Sequence, residues 1–201
     1  MRKIEKRSIF CLILAALLGL GLAFFCFQFV VDGGDWASYP YNRHLYNNAG
    51  QLKGGTILDR DGDMLSTLDE DGNRIYNDDA TVRRATLHAV GDKNGNIGAG
   101  ALTSFADKLS GYNLLTGVYS PLGTGNSLYL TIDAYLNNVA YQALNGMNGT
   151  VGIYNYKTGE ILCMVSTPTF DPANPPDIAA DDPAWDGVYV NRLLSANSIP
   201  G

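Results

Sequence analysis

Asp59, Asp61 and Asp63 stand at alternate positions, the spacing with which an EF-hand loop presents oxygen ligands to calcium. The rest of the loop does not follow that scheme: Gly62 is fourth where the bend needs glycine sixth, Met64 occupies the sixth place, and Glu70 is last. Turn chemistry explains the acids, because aspartate and glycine are what tight turns require. The two histidines, His44 and His88, are isolated and read as packing or surface residues. Neither lies near a serine in a recognisable motif, so a Ser-His-Asp triad is not expected. Of the three cysteines, Cys11 and Cys26 fall in an apolar N-terminal run and Cys163 in a second apolar run. No zinc spacing and no disulfide pairing follows from them, and no metal or cofactor is expected. Nor does the chain contain a serine followed three residues later by lysine.

The elements that must position any chemistry centre on Leu130 to Pro168. In Asp133 to Leu144 the residues Leu136, Val139, Ala140, Ala143 and Leu144 recur at helical spacing, and Asp133 is placed to cap the helix. Thr150 to Tyr154 and Glu160 to Ser166 read as strands joined by the turn Tyr156-Lys157-Thr158-Gly159, whose glycine supplies a positive φ. Ile161 to Val165 is apolar on both faces and belongs in a sheet covered on both sides, with more strands than the chain contains. Asn148-Gly-Thr150 spells a glycosylation sequon that has meaning only in a eukaryotic secretory pathway.

Ile9 to Val31 is almost continuously apolar and long enough to span a bilayer. Arg2, Lys3, Lys6 and Arg7 precede it and Asp32 and Asp35 follow, so the N-terminus is expected in the cytoplasm and the bulk of the chain outside the cell membrane. The run is too long for a cleaved leader and lacks a small-x-small cleavage site. Because the basic head carries +3, the remaining residues carry −9 within a total of −6, which argues against nucleic-acid or anionic-lipid binding.

After the polar connector Tyr39 to Arg43, Thr56 to Leu58 and Met64 to Thr67 form a hairpin around Asp59-Arg60-Asp61-Gly62. A second turn at Asp69 to Asn73 leads to Arg74 to Tyr76, completing a small meander. Gly98 to Gly111 holds a short amphipathic helix, with Ala101, Leu102, Phe105, Ala106 and Leu109 on one face, which should pack on the meander. Tyr112 to Asn126 is loop-like and places a domain boundary near residue 128.

Gly55 to Gly62, Leu130 to Asp133, Lys157 to Leu162, Met164 to Ser166 and Phe170-Asp171-Pro172 resemble, in that order, landmarks of the class B penicillin-binding proteins. The short connector with Asn42-Arg43 is similar to the smaller type without a large extra N-terminal domain. One departure is Gly54, where the family usually has arginine. The resemblance implies an α+β chain: a cytoplasmic tail (1–8), a transmembrane anchor (9–31), a β-rich extracytoplasmic pedestal (32–128) and the opening helix and hairpin of a serine β-lactamase-like transpeptidase domain, incomplete over 129–201.

Its implied activity is D,D-transpeptidation, which cross-links peptidoglycan stem peptides through an acyl-serine and is blocked by β-lactams. In the family the nucleophilic serine follows a Pro-Gly pair that an Asn-Arg segment precedes. Here Asn191-Arg192 leads to Pro200-Gly201, so the serine is expected immediately after Gly201 and no catalytic residue is assigned within the chain. Lys157-Thr158-Gly159 and Ser195-Ala196-Asn197 spell later family motifs but precede the nucleophile position, and are read as a turn and an approach loop. Ser195 and Ser198 likewise have no lysine after them to act as base. A second, non-enzymatic reading is a membrane-anchored scaffold that binds a polytopic glycosyltransferase.

Overall fold

The structure, a computed structural model, describes residues 2–37, 54–111, 125–179 and 182–195. The connector with Asn42-Arg43, His44, Asn197, Ser198 and Pro200-Gly201 lie outside the described residues.

Helix α1 runs Arg2–Ala37 and contains a 27-residue stretch, Arg7–Gly33, long and apolar enough to cross a bilayer. The meander forms as its turn residues dictate: β1 (Thr56–Leu58), β2 (Met64–Leu68) and β3 (Arg74–Tyr76) pair antiparallel. Gly62 and Gly72 take the positive φ those turns need. A fourth strand, β4 (Ser127–Tyr129), joins the same sheet parallel to β1, giving the order β3-β2-β1-β4. Residue 128, expected to mark a domain boundary, is thus inside a strand of the meander sheet.

Helix α2 (Ala80–Val90) follows, capped by the Asp79 carboxylate, which accepts from the Thr81 N–H. Where one amphipathic helix was expected over 98–111 there are two short ones, α3 (Ala101–Ser104) and α4 (Ala106–Ser110). Phe105 breaks them with φ −121°, ψ 27°, and turns outward instead of joining the apolar face. Ala101, Leu102, Ala106 and Leu109 do pack on the meander, in a core with Ile57, Leu65, Tyr76, Ala89, Val90, Ile132 and Ala134. Each large aliphatic residue buried there contributes about 1.5–3 kcal/mol.

Helix α5 (Ala134–Leu144) starts at Asp133, whose carboxylate accepts from the Leu136 N–H. Its buried stripe differs from expectation: Ala134, Asn137 and Ala140 face inward while Val139 and Ala143 are exposed. The rotation follows from Asn137, a polar residue that hydrophobic periodicity cannot place, which is fully buried against β6. Strands β5 (Gly149–Tyr154) and β6 (Ile161–Thr167) form the expected hairpin, with Gly159 at φ 79°. Cys163 and Val165 on β6 pack with Ala140 and, more loosely, with Leu136, Leu144 and Val151. Helix α2 and a last short helix, α6 (Arg192–Ser195), also pack on β6.

Candidate functional site

The residues that lead toward the end of the chain are held by three sets of ties, all converging on α2. Arg83 projects from α2 toward the Phe170-Asp171-Pro172 turn, where its Nε and Nη2 donate to the two carboxylate oxygens of Asp171 at 2.7 and 2.6 Å. Its Nη1 donates to the Asn77 and Asp78 carbonyls, so the fork joins the start of α2 to a segment 88 residues later. Bidentate pairs of this kind fix orientation as well as charge. The guanidinium holds the Asp171 carboxyl below the usual carboxylate range, with help from the Ala173 N–H. Nearby, the Thr169 hydroxyl donates to the Arg84 carbonyl.

One turn further along α2, His88 is buried, and its Nε2 donates to the Val188 carbonyl at 2.7 Å. Burial pushes the imidazole pKa down, only partly opposed by that hydrogen bond, and the Arg192 charge lowers it further. The ring is a neutral packing group, as expected for a lone histidine. Leu87 beside it shares a small core with Ile97, Phe170 and Val188.

The third tie is the Asn191-Arg192 pair. Asn191 is buried, and its Nδ2 donates to the His88 carbonyl and the Met164 sulfur, while its Oδ1 accepts from the Leu193 N–H. The Arg192 N–H donates to the Ser166 hydroxyl, Nε to the Thr167 carbonyl and Nη2 to the Asp186 carbonyl. Together the two side chains bind α2, β6 and the 186–188 turn, and set the direction in which α6 leaves. Leu193 then lies against Gly152, which has no side chain to obstruct it.

A parallel set of ties joins the meander to α5. Asp59 is buried in the first hairpin turn, where Oδ1 accepts from the Asp61 and Asp63 N–H groups and Oδ2 from the Ala134 N–H. The alternating acids are therefore turn residues, and among the described residues no cluster of three or more ligating side chains could hold a metal ion. Gly54, the departure from the landmark pattern, offers its carbonyl to Arg74: Nη2 donates to Gly54 O and Nη1 to Gly55 O, both at 2.7 Å. Burial lowers the Arg74 pKa to about 10.

Lys157-Thr158-Gly159 is the exposed hairpin loop it was read to be, closed by the Asn155 side chain accepting from the Lys157 N–H. The Lys157 ammonium sits 5.7 Å from the Tyr156 ring centroid, in solvent. Ser195 is exposed at the end of α6, and Ser166 is occupied as the acceptor from Arg192. The arrangement thus orients a segment and, within the described residues, pairs no nucleophile with a base. Helix α2 and its ion pair were missed from the sequence, although Asp79 before and Gly91 after Ala80–Val90 mark both helix ends.

No protein-family model matches the chain. A 48-residue stretch, 24% of this chain and 7% of the relative, is 48% identical to the peptidoglycan D,D-transpeptidase MrdA of Acinetobacter baumannii. A 51-residue stretch, 25% of this chain and 8% of the relative, is 39% identical to the MrdA transpeptidase of Haemophilus influenzae. Among solved structures, Pseudomonas aeruginosa PBP2, crystallised in complex with WCK 5153, superposes on 61% of this chain and 29% of its own, at 25% identity and a TM-score of 0.48. The D,D-transpeptidase domain of an Eggerthella lenta peptidoglycan glycosyltransferase superposes on 70% of this chain and 32% of its own, at 28% identity and a TM-score of 0.49. The matches to the curated relatives therefore span less than a tenth of their length.

Proposed function

We propose that this chain, which belongs to the class B penicillin-binding proteins, supplies the membrane anchor, the pedestal and the opening helix and hairpin of a peptidoglycan D,D-transpeptidase. The observation that carries the reading is the 48% identity to a D,D-transpeptidase over 48 residues. In the whole protein, the serine would attack the carbonyl before the terminal residue of a donor stem peptide, breaking that amide and releasing the terminal residue as its amine. The amine of an acceptor peptide would then displace the serine oxygen from the acyl group, returning the hydroxyl, and β-lactams would acylate the same serine by opening of their ring amide. The serine is assigned to the residue after Gly201, downstream of the Asn191-Arg192 pair. The anchor would place its N-terminus in the cytoplasm and the pedestal outside, within reach of a polytopic glycosyltransferase in the same membrane.

A serine hydroxyl needs a neighbouring base, and a chain without a Ser-x-x-Lys pair lacks both partners of the covalent step. The test incubates the purified chain with a fluorescent penicillin, beside a longer protein extended through the downstream reading frame, and reads both by denaturing gel and intact mass. The longer protein should label stoichiometrically and the 201-residue chain not at all. Stoichiometric labelling of the shorter chain would overturn the site assignment. Labelling of neither would favour the scaffold reading.

A further inference from the structure

The corner between α3 and α4 exposes an aromatic ring and a cation that the core does not use. Phe105 is 37% exposed, and the Lys108 ammonium lies 5.4 Å from its ring centroid. Asp107, the one carboxylate on the two helices, is half-buried. The placement of this corner relative to α1 gives it a meaning. Among the residues whose side chains are described, Gly33 is the one buried residue of α1, and it is also the last residue of the apolar stretch Arg7–Gly33. Helix α4 packs against α1. At about 1.5 Å per residue the stretch is roughly 40 Å long, against a hydrocarbon core of about 30 Å, so its end lies at headgroup level.

We propose that the Phe105–Lys108 corner is a phospholipid-surface contact, with the ring at the acyl–headgroup boundary and the ammonium on lipid phosphate. An aromatic body with a cation snorkelling over it is the combination that interfacial segments use. The net acidity of the extramembrane residues does not oppose it, because charges more than about 8 Å away are screened at physiological salt. Nor does the contact need long-range attraction, since α1 already tethers the corner to the bilayer. Its consequence would be a pedestal fixed at its base, not swinging on the anchor. The proposal depends on α1 spanning a membrane and is independent of the transpeptidase reading.

The test places a nitroxide on Ser104→Cys, beside the corner, in the full chain carrying Cys11→Ala and Cys26→Ala. Cys163 is buried with its thiol pushed up to about 11, so it stays unlabelled. In nanodiscs of phosphatidylethanolamine and phosphatidylglycerol, the label should be more accessible to oxygen than to a water-soluble nickel chelate. A label on Tyr135→Cys, a largely exposed position on α5, should show the reverse. Adding Phe105→Ser or Lys108→Glu should shift the Ser104 reporter to the Tyr135 value while the circular dichroism spectrum stays unchanged. Equal accessibility profiles at the two sites would overturn the proposal. So would a Ser104 label shielded from both reagents, which would mean that a protein surface covers the corner, or depth that survives both substitutions.

Discussion

Asn137 shows how one side chain can complete a sheet edge that no strand among the described residues covers. Its Oδ1 accepts from the Met164 N–H, and its Nδ2 donates to the Asp133 and Leu162 carbonyls, with no surface exposed. Replacing it by alanine would strand a buried N–H on β6 and leave a small cavity. Asn137→Ala should cost about 2–3 kcal/mol in urea unfolding, more than Asn138→Ala on the same helix, whose residue is only half-buried. Two ionisable groups near α2 make stability depend on pH in separate windows. The Asp171 pKa is depressed, so its contribution is complete above the ordinary aspartate value of 3.8 and is lost as pH falls through the lower folded value. Asp171→Asn should destabilise the protein at neutral pH and flatten the acid limb of the denaturation midpoint, without abolishing the limb that Asp69 and Asp79 share. His88 is also depressed, but it must bind a proton to unfold at acidic pH, so stability should decline as pH drops below 6.5. His88→Gln should remove that slope, which a midpoint series across the histidine range would read.

At the scale of elements, glycines decide how closely strands and helices approach. A Cβ on Gly125 would stand 2.2 Å from both the Gly55 nitrogen and the Leu109 carbonyl oxygen, and the residue holds φ +66°. These obstacles are backbone, so neither can rotate away. By contrast, a Cβ on Gly152 would meet Leu193 Cδ1 at 2.6 Å, the far end of a side chain that can choose another rotamer. Gly125→Ala should therefore cost about 3 kcal/mol or more and expose the β1–β4 amides to exchange, whereas Gly152→Ala should cost about 1 kcal/mol and loosen only α6. Similar losses from both variants would mean that α6 is fixed by its helix and not by the bare strand beneath it.

Across the whole molecule, the meander with its helices and the residues from 129 onward share their core. Ile132 and Ala134 lie in the meander cluster, Asp59 accepts from Ala134, and α2 packs on both α5 and β6. A segment beginning at residue 129 would keep the β5–β6 hairpin and lose α2, the Asp59 clamp and the partner of Asp171. Residues 129–201 produced alone should lack cooperative unfolding and slow exchange on β6, and co-expression with residues 54–128 should restore both. Cooperative unfolding of the isolated segment would make residue 128 a true folding boundary.

Elements with local causes were legible in the amino-acid order alone. Asp133 and Gly159 set the start of α5 and the β5–β6 turn, the acid-glycine turns set the meander, and unbroken apolarity set α1. That order also carried the family likeness, because ordered motifs survive as text. What it left unread depended on partners distant in the chain. The parallel pairing of β4 with β1 joins residues about seventy positions apart, and nothing in Ser127-Leu128-Tyr129 announces that strand. Asn137 and Asn191 look like surface residues until β6 and α2 supply their hydrogen bonds. Arg83 reads as one more helix cation until Asp171 meets it. Hydrophobic periodicity records which faces avoid water, but the burial of a polar group depends on whether its donors and acceptors are matched, and only the tertiary structure supplies the match.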